Sequence, residues 1–352
     1  MKKILALILA AITLLTLLTA CVSNGGNETD TSSQTDTQGS QDDTKAPEAV
    51  DVNVYTLNGT TGFGMAKMIS DAKKGSFTTE KYNFTVQSDA SVVLAALING
   101  NVDIAALPTN AAANVYNKTN GEVKILAVNT RGVLYLLTKG ETAVPSFEAL
   151  RGKTVYVPAQ NPTFIFTHLC KQNGLKPGTD ITIDSTTYAE AAALRDAVAA
   201  GLVDYAVLPE PMVTIAMASA KKANVTLTNA MDLTAEWDKV CTPGSLVQGC
   251  VVVRKAFLEA HPETVSNFLK AYKSSIEYLT TNTADAAQLI AEAGIFANVG
   301  VAEKAIPKCN VCYLDGAEMK TAMEVFLSAL KDINPNSIGG KLPAADFYYN
   351  AQ

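Results

Sequence analysis

Histidine is almost missing from this chain: there are two among 352 residues, beside a single tryptophan. That supply leaves a histidine proton relay or a multinuclear metal centre little to work with. Basic charge is scarce too. Lysine and arginine number 28 against 34 acids, they form no tract, and the formal net charge is −6. Nucleic acid is therefore not an expected partner. Nucleotide motifs are absent as well, because Gly62-Phe63-Gly64 lacks the third glycine of a dinucleotide fingerprint and no Walker A lysine occurs. Neither a Gly-x-Ser-x-Gly elbow nor a His-Glu-x-x-His helix is present. Six cysteines stand at 21, 170, 241, 250, 309 and 312, with no disulfide-scaffold spacing. Cys309-x-x-Cys312 is half of a zinc pattern without the other half. No cofactor and no metal are expected. What remains is substantial: 48% of residues are hydrophobic and 18% charged, enough apolar material for two domains at about 150 residues each.

The N-terminus reads as an address. Met1-Lys2-Lys3 is a positive start, and Ile4 to Leu18 is almost continuously apolar. Such a segment makes about 22 Å of helix, short of a bilayer core of about 30 Å, so it is expected to be a removable signal rather than a span. Leu18-Thr19-Ala20-Cys21 resembles the lipobox of bacterial lipoproteins, which implies lipidation of Cys21. Residues 22–49 are rich in Ser, Thr, Gln, Asp and Gly and hold six acids against one lysine. With almost nothing to bury they are expected to be a disordered tether of roughly 30 Å r.m.s.. The fold is expected to begin near Val50.

From there strand-like and helix-like runs alternate. Val52–Leu57, Tyr82–Val86, Val102–Leu107, Val123–Val128 and Val133–Leu137 read as strands, with helices over Gly64–Lys74 and Ala90–Asn99. The alternation predicts an α/β fold with mostly parallel sheets. The pattern then restarts 101 residues later. Gly100-x-Val-Asp103-x-Ala-x-Leu-Pro108 falls on Gly201-x-Val-Asp204-x-Ala-x-Leu-Pro209, with six of nine positions identical. Asp103 and Asp204 precede buried strand and are read as structural. After a buried strand at Gly249–Val253 the chain reads as helical to its end, with apolar stripes at Val265, Phe268, Leu269, Tyr272 and Ile276, and again at Met319, Met323, Phe326, Leu327 and Leu330.

The lipobox and tether, the repeated Gly-x-Val-Asp-x-Ala-x-Leu-Pro, Leu208-Pro-Glu-Pro211, and Gly249-Cys-Val-Val-Val-Arg-Lys-Ala-Phe-Leu258 before His261-Pro-Glu263 resemble the substrate-binding lipoproteins of ABC importers. More narrowly they resemble the group of sulfonate, taurine and nitrate binders and thiamine-pyrimidine-precursor (THI5/NMT1-like) proteins. The resemblance runs from about residue 50 to 335. It implies a type II periplasmic-binding-protein fold, two α/β lobes joined by two crossing strands. The expected organisation is a signal over 1–20, a lipidated cysteine and tether over 21–49, lobe one from 50–138 and 250–352, and lobe two over 139–249. The resemblance further implies an extracytoplasmic monomer, anchored to the membrane only through lipid, that captures a small molecule and delivers it to an importer permease. The same group includes enzymes of thiamine-pyrimidine synthesis. Those carry a cysteine cluster and work inside the cell, whereas this chain lacks that cluster and starts with an export signal, so a non-enzyme is expected.

In α/β lobes ligands sit beyond the carboxyl ends of the strands. That rule selects Asn58, Gly59, Thr60, Thr61 and Phe63 after the first strand, and Thr109 and Asn110 after the third. It also selects Arg131 after the fourth, and Gln160, Asn161 and Thr163 with Glu210 in the second half. Thr, Asn and Gly at such positions serve equally as turn and cap residues. Arg131 is a candidate anion clamp or a surface residue. Glu210, held between two prolines, is a candidate ligand carboxylate or a decorated turn. His168 is read as a packed helix residue, and Cys241 with Cys250 as a candidate disulfide.

Overall fold

The computed structural model describes residues 48–141 and 143–350. The readings placed on residues 1–47, the signal, the lipidated Cys21 and most of the tether, lie outside the described residues. The first half runs β1 (Val50–Leu57), α1 (Thr60–Phe63), α2 (Ala66–Lys73), β2 (Glu80–Gln87), α3 (Ala90–Ile98), β3 (Ile104–Pro108), α4 (Thr109–Lys118) and β4 (Val123–Arg131). The second runs β5 (Leu134–Lys139), β6 (Thr154–Tyr156), α5 (Asn161–Gln172), β7 (Thr182–Asp184), α6 (Ala191–Ala199), β8 (Tyr205–Pro209), α7 (Met212–Lys222), β9 (Leu227–Asp232) and α8 (Leu233–Val240). The chain finishes with β10 (Val247–Arg254), α9 (Lys255–Ala260), α10 (Pro262–Thr281), α11 (Thr283–Glu292), α12 (Val299–Ala305), β11 (Val311–Leu314) and α13 (Gly316–Ile333).

Local chemistry sets several of these boundaries. The Asp89 carboxylate accepts the Ser91 N–H at 2.8 Å and starts α3, and Asp232 does the same for Thr234 at the head of α8. Gly100 and Gly201, at φ 74° and 70°, end α3 and α6 in the left-handed conformation that glycine adopts without a Cβ clash. The helix predicted over Gly64–Lys74 is observed as α2, and a separate short helix, α1, precedes it. A Cβ on Gly64 would lie 2.8 Å from Ile276, so glycine lets this segment sink against α10.

The repeat is structural. α3 and α6 begin 101 residues apart, and so do β3 and β8. The first sheet is ordered β11-β4-β10-β3-β1-β2 and the second β7-β6-β8-β5-β9. Without the edge strand β11 the two share one plan, with three parallel-running strands, then an antiparallel intruder, then the fourth strand. The intruders are exchanged. β10 enters the first sheet only after the second sheet is complete in sequence, and β5, the first strand after the chain leaves the first sheet, enters the second.

Sheet membership corrects part of the reading above. Leu134–Thr138, assigned there to lobe one, pairs within the second sheet, and Val247–Gly249, assigned to lobe two, pairs within the first. Leu134–Thr138 and the Gly249–Val253 part of β10 are buried on both faces, which identifies a strand but not its partners. The C-terminal part is not wholly helical either, because β11 adds an edge to the first sheet against β4.

Asp103 is structural. It is 6% exposed and accepts from the Asn53 backbone at 2.9 Å and from Arg254 Nη2 at 2.6 Å, so its buried charge is paired while it ties β1 to β10. One apolar core fills the first lobe beneath α2, α10 and α11, and another lies under α6 and α7. The largest core runs through both lobes: Trp237 of α8 stacks near His168 of α5 at 5.1 Å and near Phe326 of α13 at 5.7 Å. His168 is thus a packed helix residue, 7% exposed. The five described cysteines are free. The Cys241 sulfur lies 3.4 Å from His168 Nε2, and the buried Cys250 thiol donates to the Leu107 carbonyl, so the candidate disulfide between them is not formed. Among the described residues no helix is long and apolar enough to cross a membrane.

Candidate ligand-binding cleft

Because strands of both sheets end toward the seam between the lobes, the helices that follow them begin there. A cavity of about 730 Å³ opens at this seam, lined by the starts of α3 and α4 from one lobe and of α5 and α6 from the other. Its size suits a small solute. Four helix N-termini present backbone N–H groups and the positive ends of their dipoles to one space.

The two lobes touch across it. Asn161 Nδ2 donates to Asn110 Oδ1 at 2.8 Å, joining the first turn of α5 to that of α4. Asn161 Oδ1 is buried and has no partner. Gln160, at φ 65°, is an exposed non-glycine residue in the left-handed region, a strained geometry that turns the chain sharply into α5. The turn is braced by Thr163, whose hydroxyl donates to the Pro158 carbonyl at 2.7 Å, and by the Ala159 N–H donating to Ala189. The loop into α6 is shaped by Asp184, which accepts from Thr186 and Thr187. Those bonds push its carboxyl down to about 2.

Of the residues selected from sequence, the cavity gathers Asn110, Gln160 and Asn161. The others do different work. Thr109 is fully buried and its hydroxyl donates to the Val247 carbonyl of β10 at 2.7 Å. Thr163 serves the turn just described. Asn58, Gly59, Thr60 and Thr61 form the β1–α1 junction outside this cavity, where the Gly59 N–H donates to Ile295 and the Thr61 carbonyl accepts from Asn129. Phe63 is a core residue, 0% exposed with its ring 6.3 Å from Phe296; α1 is sunk too deeply for it to face solvent. Arg131 pairs with Glu318 at 3.3 Å and packs beside Gly244, away from the cavity.

Glu210 is 1% exposed, and both carboxylate oxygens accept from Thr214, from its N–H and from its hydroxyl, at 3.0 Å each. It caps α7. Burial raises its pKa, opposed by the two Thr214 bonds and by Lys308.

The lining residues that were not selected include two acids, Asp89 and Glu190, which precede α3 and α6. The 101-residue offset that aligned the Leu-Pro motifs also places Asp89 on Glu190, and that was the available signal. Bonding to the Ser91 amide lowers the Asp89 pKa. Glu190 makes no side-chain bond to its own helix.

The crossing segments beside the cleft are tightly held. The Val133 N–H donates to Gln248 Oε1 at 2.9 Å, joining the outgoing and returning chains. A side chain on Gly132 would collide with Thr234 and Leu246. Trp237 Nε1 donates to Ser245 at 2.8 Å, pinning the returning loop.

Two lobes with exchanged intruder strands and a cleft between them make the periplasmic-binding-protein fold, and the profile of the family described as NMT1/THI5 like matches residues 63–286. The chain belongs to the NMT1/THI5-like family. Among solved structures, this member is similar to an ABC transporter protein from Parabacteroides distasonis. The two share 25% identity with a TM-score of 0.72, over 87% of this chain and 100% of that one. It is also similar to the periplasmic aliphatic sulphonate binding protein SsuA of Escherichia coli, at 14% identity and a TM-score of 0.68, over 87% and 94% of the chains. The alkanesulfonate-binding SsuA of Xanthomonas axonopodis pv. citri, bound to MOPS, matches at 15% identity and 0.59, over 85% and 96%. No curated protein matches the chain.

Proposed function

We propose that this NMT1/THI5-like protein is the solute-binding component of an ABC importer, capturing a small organic solute between its lobes and handing it to the permease. The observation that carries the reading is the cavity itself, walled by the first turns of paired helices from both halves of the repeat. The solved structures named above, described as transporter and sulphonate-binding proteins, support it. The organisation read from the sequence belongs to the same proposal: an extracytoplasmic monomer, tethered through lipid on Cys21.

Two measurements test it. Native mass spectrometry of the protein purified without denaturation is expected to reveal a co-purified small molecule, and Ala111→Trp, which fills the cavity, is expected to abolish it. Retention of the adduct in that variant would place the solute elsewhere. Cys21→Ser is expected to move the protein from the membrane fraction to the soluble one, and continued membrane association of the processed chain would refute the anchor.

A further inference from the structure

The charged side chains lining the cavity are both acids, Asp89 from one lobe and Glu190 from the other. An anionic solute would meet two carboxylates with no lysine, arginine or histidine to offset them. Removing a charge from water without a counter-charge is costly, so such a solute would be repelled and unpaired at once. Two of the four helix N-termini are already answered by these acids, since Asp89 and Glu190 occupy the N-cap positions of α3 and α6. Glu190 spends no side-chain bond on its helix and keeps its acceptor capacity for what enters the cavity. Carboxylates from both lobes make a site rich in acceptors and poor in cationic donors.

Resting on the solute-capture reading, we infer that the solute of this cleft is an organic cation whose charged nitrogen carries N–H groups: a primary ammonium, an amidinium or a guanidinium. The charge is shared between Glu190 and Asp89, whose carboxylate oxygens accept its N–H groups. Closing the lobes on such a solute brings the two acids onto one cation, which ties capture to closure without any residue that changes partner.

Equilibrium dialysis of the full chain, purified in mild detergent, against putrescine, agmatine, benzamidine, choline and ethanesulfonate tests this, with each retained compound quantified by mass spectrometry. Retention of at least one of putrescine, agmatine and benzamidine is expected, with choline, which has no N–H, retained at least tenfold less. Glu190→Gln is expected to weaken the retained compound's binding tenfold or more. Asp89→Asn, which keeps a capping side chain on α3, is expected to do the same while leaving the melting temperature within a few degrees. Retention of ethanesulfonate with none of the three N–H cations overturns the cation assignment and leaves solute capture standing. An N–H cation retained equally by both variants overturns the assignment of its partners. If nothing is retained and the protein also purifies without a bound small molecule, the cation assignment and the capture reading fall together.

Discussion

The two Leu-Pro junctions began as the same motif, 101 residues apart, and the fold gave them different tasks. In the first lobe Pro108-Thr109-Asn110 turns Thr109 inward onto β10 and Asn110 outward into the cavity. In the second, Pro209-Glu210-Pro211 turns Glu210 inward, its N–H donating to Val133 and its carboxylate to the service of Thr214. Each junction therefore grips a crossing segment, Val247 in one case and Val133 in the other. Only the first also offers a polar side chain to the solute. A duplicated scaffold can keep its mechanical role in both copies and its recognition role in one.

Four substitutions or titrations would break or refine this contrast. Glu210→Ala is expected to have the largest effect on stability, a loss of about 2–3 kcal/mol in urea unfolding, because two hydrogen bonds at a buried helix start go together. A loss below about 1 kcal/mol would mean that water replaces the carboxylate at the start of α7. Asn110→Ala should act on the opposite property, weakening solute binding by about tenfold while costing less than about 1 kcal/mol of stability. If stability fell more than affinity, the first junction would be structural as well. Thr109→Val keeps the shape and loses the hydroxyl that holds β10, for a cost of about 1 kcal/mol with binding unchanged. The smallest effect concerns pH. A carboxylate whose pKa is raised on folding contributes stability below its unfolded value, and that contribution is lost as pH rises through the folded value. Wild type should therefore lose stability relative to Glu210→Gln between about pH 4.5 and neutrality, read from urea midpoints. Parallel curves for the two proteins would show that burial does not disfavour the ionised form.

The contrast also marks where sequence reading succeeded. The paired motifs, the helix-ending glycines and the strands around them were legible because each is written locally, in turn chemistry and apolar period. Sheet membership of β5 and β10 was not. Leu134–Leu137 and Cys250–Val253 are buried on both faces, and a doubly buried strand carries no mark of its neighbours. At the site, the end-of-strand rule found Asn110, Gln160 and Asn161 because it names loops, and loops are what the cavity gathers. It misplaced Phe63 because a loop assignment does not say which side chain turns inward; Gly62 and Gly64, both in close contact with neighbours, let α1 sink. The prolines around Glu210 did fix its direction, but toward Thr214. Asp89 and Glu190 were passed over although the repeat had already aligned them.

The exchange of intruder strands has a consequence for the order in which the molecule assembles. All five strands of the second sheet lie between Leu134 and Asp232, so that lobe has its full complement while the C-terminal third of the chain is still to come. The first lobe, although made earlier, must wait for β10 to enter between β3 and β4, a pairing that joins residues more than a hundred positions apart. Such distant closure is slow. The earlier-made half is therefore the later-finished one, and until Val247 onward arrives, β3 and β4 face each other across an open slot lined with apolar side chains. A chain stalled before β10 would hold a finished second lobe beside an unfinished, adhesive first one. That half is where holding by a chaperone, or aggregation in its absence, should begin.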